Sequence, residues 1–242
     1  MIEIKEGAFV IADAHYSHIR EELLFLIEDI HSKKLKPTQL ILMGDIFDAL
    51  FGNITYTLET NAHIVSLIDD ISQEIEVIYL EGNHDFNLKD VFVKAKVFTI
   101  QNQPIVCTYK NKRVCLAHGD FSGDFFYKLY TSIIRNPFVL KVLNYFDNRT
   151  DHYILKKLDN YLSKKDDCKE FSGFEEYMQK RLVNKVECDY FIEGHFHQNS
   201  SIDFKDFRYI NLGAFACNQR YFIVKSLQEA ELLEENVFSR EI

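Results

Sequence analysis

The chain has 242 residues, with 28 Lys+Arg against 37 Asp+Glu, nine His, five Cys, nine Gly and three Pro. Its 47% hydrophobic and 14% aromatic content supports a sizeable core and excludes a disordered chain, while sparse Gly and Pro exclude fibrous or linker-rich architectures. A formal charge of −9 excludes a general nucleic-acid binder, which would be basic.

Short apolar runs recur along the chain, and each ends in a polar cluster. Ala8 to Ala12 predicts a buried strand that runs into Asp13, Ala14 and His15. A helical pattern follows over 20–34, and then the run Gln39 to Met43 leads into Gly44 and Asp45. A second helical pattern over 57–73 precedes Val77 to Leu80, which leads into Gly82, Asn83, His84 and Asp85. Lys110 to Arg113 reads as a hairpin turn before the strand Val114 to Ala117, which ends at His118, Gly119 and Asp120. No further strand is expected until Tyr190 to Ile192, which runs into Gly194, His195, Phe196 and His197. The intervening stretch has helical patterns near 122–134, 138–147, 150–164 and 172–186, too much for an ordinary loop and expected to form a helical insertion or lid. Candidate strands near 200–204, 207–212 and 221–226 point to a second sheet packed on the first. Alternating strands and helices with a hairpin give an α/β fold whose strands are not all parallel. The five Cys lack a C-x-x-C pair and are expected to be reduced, mostly as small core residues of an intracellular protein. Met1 to Glu6 lacks a secretory pattern and no stretch matches a membrane span, so a cytoplasmic location is expected.

Each polar cluster alone is ordinary turn or capping chemistry. Five of them in order, each after a strand, are not. Ligands of open α/β sheets bind beyond the carboxyl ends of strands, so these clusters can converge. Their contents are Asp13, His15, Asp45, Asn83, His118, His195 and His197. That carboxylate, amide and imidazole set without thiolate suits Mn²⁺, Fe or Zn²⁺ rather than a structural zinc ribbon. In Asp13-x-His15 and His195-x-His197, alternate residues of an extended backbone would face the same way and chelate from one segment.

Taken together, Asp13-Ala14-His15, Gly44-Asp45-Ile46-Phe47-Asp48, Gly82 to Asp85, His118 to Asp120 and Gly194 to His197 resemble the ordered signature of the calcineurin-like metallophosphoesterases. The resemblance spans nearly the whole chain and implies a four-layer α/β/β/α sandwich in one domain over 1–242, with the lid at 121–188. It further implies two divalent metals, with Mn²⁺ expected and Fe, Zn or Co compatible. Asp13, His15 and His197 would hold one metal, Asn83, His118 and His195 the other, and Asp45 would bridge them. Two such cations about 3.5–4 Å apart lower the pKa of a shared water and clamp phosphoryl oxygens. His84 would then stabilise phosphate charge or protonate the leaving group, with Asp85 as its orienting partner. Asp48 and Asp120 would hold ligand imidazoles or else stabilise the turns that carry them.

The substrate reading rests on the insertion. Phe125, Phe126, Leu129, Tyr130, Ile133 and Ile134 form one apolar stripe, and Phe138, Val139, Val142, Leu143 and Phe146 a second. Residues 121–165 carry eight basic against four acidic side chains, a net +4, while the remainder of the chain carries −13. A basic apolar insert in an acidic protein suits a membrane surface and an acylated substrate, although the stripes could equally be how the helices pack on the body. The motif His118 to Asp120, the aromatic helix with Tyr127, then Pro137 and a basic segment, and Leu212 to Phe215, are similar to the UDP-2,3-diacylglucosamine pyrophosphatases of lipid A biosynthesis. That resemblance implies hydrolysis of the substrate to UMP and 2,3-diacylglucosamine 1-phosphate at the cytoplasmic face of the inner membrane. It makes Asn83, His84, Tyr127, Arg149 and Lys164 substrate contacts, with no nucleic acid and no protein partner. The best-known branch has Arg where this chain has His84, the form common to the wider superfamily. Two other readings stand beside it: a phosphoesterase for soluble nucleotides or other diesters, and a non-catalytic scaffold, which would be expected to lose metal ligands.

Overall fold

Continuous apolar runs form strands when both faces of their sheet are covered, and that is how the first half of this chain folds. The computed structural model describes residues 2–120, 125–182, 187–226 and 231–240, and for 125–128 the backbone alone. The chain begins with β1 (Ile2–Glu3), β2 (Phe9–Ile11), α1 (Glu22–His31), β3 (Gln39–Leu42), β4 (Leu50–Phe51), α2 (Thr55–Thr60), α3 (Ala62–Glu74) and β5 (Glu76–Leu80). It continues through β6 (Asp85–Phe86), β7 (Lys96–Phe98), β8 (Ile105–Tyr109) and β9 (Lys112–Ala117). Four helices follow: α4 (Phe125–Ile134), α5 (Pro137–Arg149), α6 (Tyr153–Leu162) and α7 (Phe174–Leu182). The chain closes with β10 (Tyr190–Glu193), β11 (Ser200–Asp203), β12 (Arg208–Asn211), α8 (Phe215–Asn218), β13 (Arg220–Val224) and β14 (Leu233–Val237).

Two six-stranded sheets result, in the orders β14-β13-β2-β3-β5-β7 and β1-β8-β9-β10-β12-β11. The period-two alternation of strand side chains assigns each residue its layer. From β2, β3 and β5, Phe9, Ile11, Leu40, Leu42, Val77 and Tyr79 point toward α1 and α3, where they meet Leu26, Ile27, Ile64 and Ile68. Their neighbours Val10, Ile41, Ile78 and Leu80 point the other way, into a core shared with Val114, Leu116 and Ile192 of the second sheet. The outer face of that sheet, with Cys115, Ala117, Phe191 and Tyr209, packs on Phe174, Met178 and Leu182 of α7. The fold is therefore the expected α/β/β/α sandwich, and α7 supplies its fourth layer.

Several elements differ from the sequence reading. The helical pattern at 57–73 divides into α2 and α3, because the Asn61 side chain donates to Thr57 O (2.8 Å) and Ala49 O (3.1 Å) and bends the chain there. The C-terminal strands do not form a sheet of their own: β11 and β12 extend the sheet of β9 and β10, and β13 and β14 extend that of β2. The expectation of uniformly reduced Cys is corrected at one pair, since Cys168 and Cys217 form a disulfide with Cα atoms 5.6 Å apart. Cys107, Cys115 and Cys188 are buried thiols.

The helices α4, α5 and α6 stand apart from the four layers. Asn136 caps the N-terminus of α5 immediately before Pro137, its side chain accepting from Phe138 N (2.9 Å) and Val139 N (3.3 Å). A small apolar cluster of Ile54, Phe86 and Leu140, flanked by Phe51, Ile134 and Leu155, seats the trio on the β4–β6 ribbon. Two polar latches secure it: Asn144 pairs with the backbone and hydroxyl of Thr55 (3.0 Å each), and Asn87 donates to Arg135 O (2.9 Å). Among the described residues no helix is long and apolar enough to cross a membrane.

Candidate metal centre

Parallel pairing brings the strand ends together. Phe9 lies opposite Leu40 and Leu40 opposite Val77, so β2, β3 and β5 end at one level. In the second sheet Leu116 lies opposite Ile192, which aligns His118 with the turn after β10. All five clusters thus meet at one edge of the sandwich. The chain reaches this point through unusual backbone: Asp13, His15, Asp45, His195 and His197 all have positive φ, between 46° and 63°. This corrects the expectation of extended Asp-x-His and His-x-His pairs. Left-handed conformations at non-glycine residues cost free energy and survive where surrounding contacts impose them. Here the contacts are visible: Asp13 N donates to Gly44 O (3.1 Å), His15 N to Asp45 O (3.0 Å), and His195 N to both carboxylate oxygens of Asp13 (3.0 and 2.9 Å).

Among the described residues three groups of side chains converge with candidate ligand atoms within 4.8 Å of one another: Asp13, His15 and His197; Asp45, His118 and His195; and His15, Asp48 and His84, which shares His15 with the first. The two histidines of the last motif are therefore divided between the groups rather than paired. Asn83 joins the second group, its Oδ1 lying 3.3 Å from His118 Nε2. Three of the imidazoles are held by Nδ1 on oxygen acceptors: His15 on Asp48 Oδ1 (3.1 Å), His118 on Met43 O (3.0 Å), and His197 on Asp167 O. Each presents Nε2 to the centre, the arrangement that metal-binding histidines adopt. His15 Nε2 is buried with no partner, an orphaned atom that a metal ion would satisfy. The donor set and this atom fit divalent cations.

The electrostatics agree. Burial pushes the Asp45 carboxyl up, but His118 and His84 outweigh it and hold the group well below its usual range. For Asp13 burial is likewise overcome by His197 and His118. Burial and the Asp45 carboxylate together lift Asp85 to about 7. Burial and His118 push His195 down to about 4, whereas for His197 the Asp13 carboxylate overcomes burial and lifts it to about 9.

Asp85 is not the orienting partner of His84. Its carboxylate accepts from Asp45 N (3.0 Å), Ile46 N (2.7 Å), Gly82 N (2.8 Å) and Tyr79 Oη (2.6 Å), so it pins the β3 turn against the β5 turn. His84 instead meets Asp48 O through Nδ1 (2.9 Å) while its own N–H donates to Asp45 Oδ1 (2.8 Å), which leaves Nε2 for chemistry. Asp120 pairs with Arg135 (3.0 Å). Arg149 and Lys164 are exposed; the guanidinium of Arg149 stacks 4.5 Å over Tyr145 of its own helix, and the structure brings neither residue to the centre. The side chain of Tyr127 lies outside the described residues.

Some contributors have no mark in the sequence. Asp167, between α6 and α7, holds His197 through its carbonyl and accepts from Arg20 (2.7 Å) through its carboxylate. Gln103 accepts from His118 N (2.6 Å). Arg181 of α7 binds the buried Glu193 and donates to Gly119 O (2.8 Å), tying the outer helix to two of the motif turns. A cavity of roughly 470 Å³ opens beside the centre. Asn83, His84 and Asp48 lie at its polar end, and its remaining wall is mostly apolar, including Phe86, Ile134, Leu140 and Leu158.

Residues 8–199 match the family model of the calcineurin-like phosphoesterases. Proteins named UDP-2,3-diacylglucosamine hydrolase are similar: that of Pseudomonas fluorescens strain SBW25 is 28% identical over 152 residues, covering 62% of this chain and 61% of that one. That of Pseudomonas putida strain KT2440 is 28% identical over 153 residues, covering 62% of this chain and 63% of that one. The match thus spans about six tenths of the length of these relatives. Among solved structures, an E. coli phosphoesterase aligns at TM-score 0.49 with 13% identity, covering 90% of this chain and 88% of that one. An archaeal phosphodiesterase aligns at 0.47 with 14% identity, over 96% and 99% of the two chains. With the matched region taking in all five motifs, the chain belongs to the calcineurin-like phosphoesterase family.

Proposed function

We propose that this phosphoesterase hydrolyses the diphosphate of UDP-2,3-diacylglucosamine, giving UMP and 2,3-diacylglucosamine 1-phosphate. The observation that carries the reading is the cavity: its polar end is made by Asn83 and His84, and its apolar end by α4, α5 and α6. A soluble nucleotide has no group that would fill the apolar end, whereas burying acyl chains there is favourable by about 25 cal/mol per Å² of apolar surface. The name shared by the similar Pseudomonas proteins supports the same substrate.

In this reading α4–α6 form a lid that receives the acyl chains. Asp13, His15 and His197 would hold one divalent metal and Asn83, His118 and His195 the other, with Asp45 a ligand shared between them and Mn²⁺ the expected ion. When bound, the pair of cations supplies an activated water and neutralises phosphoryl charge. The chain's own residues do the rest. His84, fixed at Nδ1 by Asp48 O, turns Nε2 toward the reacting phosphate and donates a proton there to the leaving oxygen. Asn83 orients a phosphoryl oxygen, and the helices exclude water from the departing side. Exposed Phe138, Tyr145, Phe146, Tyr153 and Tyr161, interleaved with Lys141, Arg149, Lys156 and Lys157, suit peripheral contact with an anionic membrane surface, where the substrate resides.

The test is release of UMP from UDP-2,3-diacylglucosamine with added Mn²⁺, compared with the same nucleotide sugar lacking its acyl chains. The reading expects strong preference for the acylated compound. Equal kcat/KM for both would overturn it and favour a phosphoesterase for soluble nucleotides.

A further inference from the structure

Arg135, just after α4, is the one Arg or Lys among the described residues that line the cavity beside the centre. It is 7% exposed. Its Nη2 donates to Gly82 O (2.9 Å), one residue before Asn83, and to Asp120 Oδ2 (3.0 Å). The guanidinium plane sits 5.3 Å from the centre of the Phe86 ring. These three contacts fix the group in place. Two of its nitrogens, Nε and Nη1, are nevertheless buried without a hydrogen-bond partner. Buried N–H donors of a cation are normally satisfied, and a guanidinium held this rigidly with donors to spare is matched to an anionic oxygen ligand.

Position selects the anion. Asn83 and His84 line the same cavity at its end toward the metal centre, and Ile134, Leu140 and Leu155 line it beyond. A phosphoryl group that joins the reacting phosphorus to an apolar tail would pass Arg135 on its way between the two. We propose that Arg135 is a substrate-binding residue that holds the phosphoryl group on the apolar side of the scissile bond, and this rests on the diphosphate reading above. Arg135 transfers no proton. The leaving oxygen departs with the tail-bearing phosphate, and the unused guanidinium donors meet the negative charge that this phosphate retains. Asp120 keeps the guanidinium from swinging onto the metal ligands and balances its charge when the cavity is empty.

The test pairs two variants, Arg135→Gln and Arg135→Lys, with ligands that differ only in the phosphate. Binding to the Mn²⁺-loaded protein is measured by calorimetry for octyl phosphate and octanol, and turnover is measured with UDP-2,3-diacylglucosamine. Arg135→Gln is expected to lose about 100-fold in kcat/KM, as when one preorganised donor to a developing anion is removed. It should also lose most of its affinity for octyl phosphate while binding octanol like the wild type. Arg135→Lys, which keeps the charge but not the fork, should fall between. Unchanged octyl phosphate affinity in Arg135→Gln would overturn the proposal, and so would parallel loss of both ligands, which marks a structural role. If the wild type binds octyl phosphate through Arg135 yet leaves UDP-2,3-diacylglucosamine intact, the substrate reading falls and the phosphate site stands. If it hydrolyses the nucleotide sugar and Arg135→Gln does so equally well, the phosphate site falls and the substrate reading stands. Failure of the wild type in both measurements overturns the two together.

Discussion

Asp48 Oδ1 lies 3.1 Å from His15 Nδ1, and the opposite ring nitrogen of His15 is buried with no partner. The carboxylate fixes the ring orientation and makes Nε2 the lone pair that faces the centre. Replacing Asp48 by Ala or Asn is expected to weaken divalent-metal affinity about 10- to 100-fold, the usual effect of losing such a support. The substitution leaves His84 in place, because that ring rests on the backbone carbonyl of Asp48 and not on its side chain. Titration of the chelator-stripped protein with Mn²⁺ by calorimetry reads the effect directly. Unaltered affinity in Asp48→Ala, which keeps no acceptor for His15 Nδ1, would show that this contact does not support metal binding.

Gly82 and Gly194 are required for space rather than for backbone freedom. A Cβ at Gly82 would stand 2.2 Å from Asp45 Oδ1, and one at Gly194 would stand 2.4 Å from Asp13 Oδ2. Neither neighbour is the end of a flexible side chain free to retreat, since Asp45 Oδ1 accepts from His84 N and Asp13 Oδ2 from His195 N. Gly82→Ala and Gly194→Ala should therefore displace the two carboxylates on which the centre depends. We expect each to lower stability by about 1–3 kcal/mol, the common cost of overpacking, and to remove most of the bound metal. Melting curves with and without Mn²⁺ separate the two effects: the metal-induced rise in Tm should shrink more than the baseline Tm.

How far the sequence could be read divides along physical lines. The strands β2, β3, β5, β9 and β10 are legible because each has a stretch buried on both faces, which appears as a short apolar run. The ligands were legible because they follow those runs directly, beside glycines that let the turns approach one another. What supports them was not. Asp167 meets His197 across 30 residues and Arg135 meets Gly82 across 53, so no local spacing announces either pair. Asp85 belonged to a recognisable motif, yet its partners are backbone N–H groups of a turn 40 residues earlier, which only the closed structure reveals. The left-handed backbone at Asp13, His15, His195 and His197 is imposed by those same long-range contacts, against the residues' own preference. Helix α7 shows the same limit: its apolar side chains repeat as those of α4 to α6 do, and only the apolar outer face of β9, β10 and β12 decides where it packs.

The disulfide between Cys168 and Cys217 closes a loop of 49 residues and anchors the segment that carries Asp167. Loop closure of this length constrains the unfolded chain by about 4 kcal/mol in the chain-entropy model. Cys217→Ser is expected to lower stability by up to that amount. It should also weaken metal binding, because the Asp167 carbonyl that holds His197 lies next to Cys168. Denaturant melts compare stability, and Mn²⁺ titration of the folded variant compares affinity. An unchanged Mn²⁺ affinity would show that the Asp167 carbonyl keeps its place without the covalent tie.

The cavity beneath α4–α6 provides the sharpest separation of chemistry from substrate choice. Leu158 lines it on α6 and is not itself a candidate metal ligand. Leu158→Trp adds bulk where an acyl chain would lie and leaves Asp13, Asp45 and the imidazoles untouched. Loss of a few methylenes of buried chain, at about 0.8 kcal/mol each, corresponds to a KM increase of roughly 10- to 100-fold for the acylated nucleotide sugar. The turnover of bis(p-nitrophenyl) phosphate, which has no acyl chain to place, should stay within about twofold, since uniform substrate binding and not the transition state is altered. Steady-state kinetics on the two substrates give the ratio in one experiment. An equal fall on both would mean that Leu158 supports the fold of the site, and an equal indifference would mean that the acyl chains are bound somewhere else.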